Sequence, residues 1–343
     1  MSLLMSLIQN GSNQEDPRTN LLEYTAGTIA KHIDAPAHYL VGLALWALHT
    51  HVYSTYSKTP RLAILSPVPN CGKSTVLEIL AAMAWNPKRV IDPTEAALFR
   101  LASNHTMLLD EVDNMSISRG MKSVLNEGDR LGGSVIRTGK DGEVISYPVF
   151  APLALAGIGR LPATLMTRSI VIRLHRSDKA MDRFSAREQH FAPHFYNWGD
   201  QVVLNSDPQM PPQLVGRDAD KWRSLVAIGD SFGRGEIARE VALKFVTESV
   251  NPDVKELILR DTQRVFNRAK VTKISVKRMY EKLIEDKEGE HEVDYDGQKI
   301  TKRKVGDTLR DFQIYSRIER PEKGEPVRYW LRDDFEEMWK RYA

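Results

Sequence analysis

Only one cysteine, Cys71, occurs in 343 residues, which rules out a disulfide within the chain and makes a cytoplasmic location the expectation. Long apolar runs are missing too. The stretch from Tyr39 to Leu48 is too short to span a bilayer, so no membrane partner is expected. Met1 to Gln14 lacks the charged and apolar blocks of a signal peptide. No internal repeat and no low-complexity tract is visible. A large excess of charge is also absent: the net value of +3 is too small to establish a nucleic-acid partner, and only local clusters can argue for one. The charged fraction of 27% and apolar fraction of 42% suit two or three compact units.

One stretch stands out. Leu62 to Leu65 reads as a buried strand, Ser66-Pro67-Val68-Pro69-Asn70-Cys71-Gly72 as a tight loop, and Lys73-Ser74-Thr75 opens a helix. Strand, loop and helix in this order are the context of a P-loop. Such a loop aims backbone N–H groups and a helix dipole at one spot, where phosphate binds. Pro69, Asn70, Cys71, Gly72, Lys73, Ser74 and Thr75 are therefore expected to hold ATP. Lys73 reaches the β- and γ-phosphates and Ser74 gives its hydroxyl to Mg²⁺. Pro67 stands where the pattern has its first glycine; it fixes φ and has no N–H, so the loop opens differently. Cys71 reads as a small filler rather than a nucleophile.

Thr106-Met107-Leu108-Leu109 is an apolar strand ending in Asp110-Glu111. After a P-loop this reads as a Walker B strand, with Asp110 on Mg²⁺ and Glu111 polarising the attacking water. Asp113 is an extra loop acid. His49 and His51, two apart on a helix, face different sides and make a poor metal pair. Asp34 is expected to cap a helix with Pro36 in its first turn. Ser134 to Arg137 and Glu143 to Tyr147 flank a glycine-bounded turn and form a hairpin. Arg137 and Lys140 near its tip either touch a nucleic-acid backbone or decorate a solvated turn. Ser116 to Asn126 and Asp178 to Leu204 read as helices.

The last segment is built differently. Val254 to Lys270 is an amphipathic helix. Ser275 caps a second helix, with Ile274 and Met279 as its staple, and Thr301 caps a third, stapled by Ile300 and Val305. Val305, Leu309 and Phe312 share the inner face of the third. Tyr315 to Ile318 and Val327 to Leu331 flank Pro321-Glu322-Lys323-Gly324 as a two-stranded wing. This is a winged-helix plan, in which Lys302, Arg303 and Lys304 meet phosphates of DNA, single-stranded or duplex. Asp307 and Asp311 on the same helix leave a protein-contact role open.

Ala44 to His51, Ser66 to Thr75, Leu108 to Asp113, Ala154 to Pro162 and Arg217-Asp218-Ala219-Asp220-Lys221-Trp222, in this order, resemble a family of P-loop ATPases from phages, plasmids and integrated elements, catalogued as a domain of unknown function and often linked to primase domains. The core also resembles those of AAA+ proteins and superfamily-three helicases. The resemblance implies an α/β P-loop NTPase, AAA+-like, with a three-layer core over residues 15–176, a helical lid over 177–250 and a winged-helix DNA-binding domain over 251–343. It also implies a homo-oligomer, in its fullest form a ring, and a primase partner. Arg168 then stands where such rings place an arginine finger, and Arg217, opening a lid helix, is the candidate second sensor. The expected function is an ATP-hydrolysing, DNA-associated motor or helicase-like replication protein. The alternatives are a nucleotide-dependent regulator or loader that does not translocate, and a protein-binding module with a purely structural loop.

Overall fold

The computed structural model describes residues 3–13, 16, 18–102, 104–115, 117–139, 141–159, 161–185, 192–249, 254–285, 301–320 and 325–342. Lys140, Ile300 and the Pro321 to Gly324 turn lie outside the described residues. Two compact units are present, residues 1–248 and 249–343. No helix among the described residues is long and apolar enough to cross a membrane.

The first unit opens with three helices, α1 (Leu3–Asn13), α2 (Leu21–His32) and α3 (Ala37–Val52). Alternation of strand and helix follows: β1 (Arg61–Ser66), α4 (Lys73–Met83), β2 (Pro87–Ile91), α5 (Glu95–Ala102), β3 (Thr106–Asp110) and α6 (Arg119–Glu127). Next come the hairpin β4 (Ser134–Thr138) and β5 (Val144–Pro148), then β6 (Leu153–Ile158), α7 (Ala163–Met166) and β7 (Ser169–Arg173). Three helices close the unit, α8 (Ala192–Gln201), α9 (Arg217–Ser231) and α10 (Gly235–Ser249).

Five strands form one parallel sheet in the order β2-β3-β6-β1-β7. Parallel strands joined by helices must be covered on both faces, and their composition shows it: β1 and β3 are buried at every position. Successive side chains go to opposite faces. Leu62, Ile64, Leu108, Ala154 and Ala156 join a core with Val76, Leu77 and Leu80 of α4 and with most of α3. Ala63, Leu65, Leu109 and Leu155 join the other core, with Leu98 of α5 and Val124 of α6. The α/β class with helices on both sides of a parallel sheet is thus present.

Asn20 caps α2 by accepting from Glu23 N at 3.2 Å. Local expectations fare unevenly. Asp34 does not cap α3, whose first residue follows Pro36. Its carboxylate instead accepts from Ser177 Oγ and Lys179 Nζ, both at 2.7 Å, tying down the chain beyond β7. Of the helix expected from Asp178 to Leu204, the described residues show α8, while residues 178–185 and 202–204 are irregular. The irregular stretch is held by contacts to other elements. Asp182 N donates to Lys31 O and His32 Nδ1 lies 2.8 Å from Asp182 O.

The second unit contains α11 (Val254–Ala269), β8 (Lys273–Ser275), α12 (Val276–Glu285), α13 (Lys302–Asp311), β9 (Arg317–Glu319), β10 (Val327–Leu331) and α14 (Glu336–Tyr342). Both expected caps form: Arg278 N donates to Ser275 Oγ and Lys304 N to Thr301 Oγ1, each at 3.2 Å. The two strands expected as a wing, β9 and β10, belong to a wider sheet. β8 joins on the far side of β10, giving an antiparallel sheet ordered β8-β10-β9. Met279, Val305, Leu309, Trp330 and Trp339 share its core.

His49 and His51 are tied into the core by their ring nitrogens. His49 Nε2 sits 2.9 Å from Thr59 Oγ1 and His51 Nε2 lies 2.8 Å from Met83 O. Burial drives His49 down from 6.5 to about 3 and His51 to about 4. Below pH 6.5 the unfolded chain takes up protons that the folded chain refuses, so stability falls as pH drops towards these folded values. Between pH 7 and 4.5, His49→Gln should lose about 2.5 kcal/mol less unfolding free energy than the wild type, measured by urea denaturation.

Candidate functional site

β1 is followed by a loop with two left-handed residues, Asn70 at φ 61° and Gly72 at φ 87°. Glycine is free to adopt this conformation and asparagine tolerates it. Gly72 is the N-cap of α4 and gives no side-chain cap. Val76 N is the first to bond back, to Gly72 O at 3.0 Å. The N–H groups of Lys73, Ser74 and Thr75 therefore have no backbone acceptor, at the positive end of the helix dipole.

Ser66 supports this loop in place of the missing glycine. Its Oγ donates to Val68 O at 2.7 Å and accepts from Lys73 Nζ at 2.6 Å. Cys71 Sγ approaches Val68 O at 3.3 Å, so the thiol braces the loop from inside. Pro69, Asn70 and Ser74 lie on the same turn and at the same helix start.

Asp110 is level with Ala156 and hence with Ile64, because Leu109 pairs with Leu155 and Ile64 with Ala156. Residues in register on parallel strands point the same way. Asp110 and Ser66 therefore face the same side of the sheet, the side α4 covers, both at the carboxyl ends of their strands. β6 lies between, so the two strands run about 10 Å apart. Asp110 is 5% exposed. Its Oδ2 accepts from Arg89 of β2 at 2.7 Å and its Oδ1 from Glu111 N at 3.0 Å. Arg89 also reaches Glu78 of α4 at 3.5 Å.

Glu111 sits at φ 55°, a conformation that costs a side-chain-bearing residue about 1 kcal/mol or more. The turn after it is clamped to β6: Val112 N donates to Ala156 O at 3.0 Å and Asp113 Oδ1 accepts from Ile158 N at 2.8 Å. A Cβ on Gly157 would lie 2.7 Å from Val112 Cγ2, so the close approach requires glycine there. Asp113 thus holds the turn that presents Glu111.

Other expected site residues lie elsewhere. Arg168 precedes β7 and Arg217 opens α9, at the opposite, amino end of the sheet from Lys73 and Asp110. Arg168 Nε is 3.1 Å from Asp129 Oδ2, and Arg217 donates to Thr167 Oγ1 at 2.8 Å. Both line a cavity of about 190 Å³ with Lys58, Arg130 and Lys221. Arg137 does not project from the hairpin tip. It turns back to Glu95 of α5 at 2.5 Å and covers the Phe99 ring, 5.2 Å from its centroid. An ion pair with a desolvated ring beneath it outweighs free hydration of the guanidinium. Lys302, Arg303 and Lys304 form the first turn of α13 in the second unit.

Reading the sequence does not single out Ser66 or Arg89. A serine closing an apolar strand ahead of proline is a faint signal for the first. Arg89 has none, because its partner lies 21 residues away in another strand. The arrangement offers an ammonium and unpaired amides to a polyanion, with a carboxylate on the same face for a cation. Because Glu111 is held in the left-handed region, Glu111→Gly should leave the melting temperature unchanged or raise stability by up to about 1 kcal/mol, where glycine at an ordinary φ would lower it; differential scanning calorimetry reads this.

No curated protein matches the chain. A solved structure, the A form apo structure of the NrS-1 C-terminal region, is similar at a TM-score of 0.42 and 13% identity, over 96% of this chain and 78% of that one. A likeness of that size carries no argument about fold or function. The family described as "Protein of unknown function (DUF3631)" matches residues 171–342, from β7 through α14. That stretch includes Arg217 and α13 and begins after the Lys73 and Asp110 segments. It is half of the chain, and the chain belongs to this family.

Proposed function

We propose that the chain is a P-loop ATPase associated with DNA, with a helical lid over α8 to α10 and a winged helix as its second unit. The observation that carries this reading is the Lys73 helix start. Three amides without acceptors and one ammonium stand on the same sheet face as the buried Asp110 carboxylate. The strand order, with β6 between the loop strand and the acidic strand, supports the likeness to AAA+ and superfamily-three helicase cores.

The residues fit ATP and Mg²⁺ by their donor types. Hydroxyl and carboxylate oxygens are the hard ligands Mg²⁺ takes. Among the described residues no group of three or more His, Cys, Asp or Glu side chains is placed to hold a metal. Mg²⁺ is commonly held by one or two protein ligands together with substrate phosphates. When bound, Mg²⁺ supplies positive charge at the β- and γ-phosphate oxygens. The chain does the rest. The amides of Asn70 to Thr75 and Lys73 bind the phosphates, and Ser66 keeps the Lys73 ammonium over the loop until substrate arrives. Ser74 and Asp110 provide the metal's oxygens, with Arg89 holding Asp110 in its orientation. Glu111 orients and deprotonates the attacking water.

Arg168 and Arg217 reach no phosphate on their own subunit's Lys73 helix in this reading. They act on a neighbour's nucleotide if copies of the chain assemble head to tail, as a ring demands. Their local pairing with Asp129 and Thr167 favours the second reading, a nucleotide-dependent DNA-binding regulator or loader that works without a ring. ATP turnover, measured with and without single-stranded DNA, tests both. Lys73→Ala should lower turnover about 100-fold or more. A motor shows DNA stimulation and a further loss in Arg168→Ala. A loader shows neither, and sediments as a monomer with a non-hydrolysable ATP analogue. No turnover and no nucleotide binding would leave the loop structural.

A further inference from the structure

The second unit carries a concave surface beside the expected contact residues. α13 and β10 border a groove of about 400 Å³, within the size range of small-molecule sites. Lys302, Gly306 and Arg310 recur at four-residue intervals, so they form one stripe of α13, and all three line the groove. Arg303 joins them from the same helix, Arg328 from β10 and Tyr315 from the segment ahead of β9. Lys304 does not line it.

Three features set its chemistry. Four cations line it, Lys302, Arg303, Arg310 and Arg328, and two of them are near a carboxylate: Asp307 pairs with Arg310 and lies 3.8 Å from Arg303. Tyr315 is 60% exposed, an aromatic face left to solvent at the groove edge. Gly306 has an ordinary helical φ, and a Cβ there would meet nothing within 4 Å. Glycine weakens a helix interior, and here neither backbone conformation nor packing calls for it. What it does is leave the floor of the groove open.

We infer that this groove takes single-stranded DNA, with backbone phosphates on Lys302, Arg303, Arg310 and Arg328 and a base stacked on Tyr315. A duplex is stiff and convex and accepts a protruding helix face in its own groove. Over a concave site it rests on the rim. A single strand bends into the concavity, and its unstacked bases are free to lie on an aromatic ring. This inference rests on the reading that the second unit meets DNA, and it names which form of DNA and which surface.

The test uses the full chain and fluorescence anisotropy at low salt, with a labelled thymidine oligonucleotide of about 20 residues and a duplex of equal length. The single strand should bind more tightly. Four phosphate contacts give a slope of log affinity on log salt of about −2.8, and Arg328→Ala should make it shallower by about 0.7. Tyr315→Ala should weaken single-strand binding about tenfold. Gly306→Gln, which places a side chain in the groove, should weaken it similarly while the melting temperature holds or rises. Tighter duplex binding, with Gly306→Gln and Tyr315→Ala unchanged from wild type, overturns the groove and leaves DNA association standing. Binding of neither DNA overturns both.

Discussion

The structure of the first unit depends on one strand being hydrogen-bonded on both sides. β1 pairs with β6 along six positions and with β7 along five. It is buried throughout, so its backbone has no alternative partners in water. Its two ends show how tightly this is enforced. At the start, the fully buried Arg61 donates to Leu125 O and Ala151 O, and desolvation lowers its pKa to about 10. At the end, Ser66 takes the Lys73 ammonium. A slip of one residue would exchange the two faces of the strand, sending Ile64 and Ser66 away from α4 and Arg61 out of its cage of carbonyls.

From that strand the site is assembled by sheet geometry alone. Parallel pairing puts all carboxyl ends along one edge, and register puts Ser66 and Asp110 on one face. The remaining polar groups there come from the first turn of α4 and from the loops. Gly157 lets β6 pass under the 111–113 turn, and that turn in turn imposes the left-handed backbone of Glu111. Strain at one residue is held by two hydrogen bonds to the next strand. The opposite edge of the sheet gathers Arg168 and Arg217, which separates the basic cluster from the Lys73 helix within one copy of the chain.

Much of this was readable beforehand. The apolar runs of β1 and β3, the loop between β1 and α4, and the caps at Ser275 and Thr301 are local signals with local causes. The misreadings share a cause as well. Asp34, Arg137 and the segment after Asp178 are decided by partners far along the chain: Lys179, Glu95 and His32. A capping aspartate, a hairpin arginine and a charged helical pattern look the same in sequence whether or not such partners exist. The third strand of the second unit's sheet, β8, was hidden because three residues carry no periodicity.

By itself the sequence determined the alternation of strands and helices, the phosphate-loop pattern and the acidic end of β3, because these rest on side-chain period and backbone preference over a few residues. Only the tertiary structure decided strand order, the sheet face that Asp110 shares with Ser66, the pairing of Arg89 with that carboxylate and the parting of Arg168 from it. Each of those is a matter of which distant segment supplies the neighbouring hydrogen bonds, and no short stretch of chain carries that information.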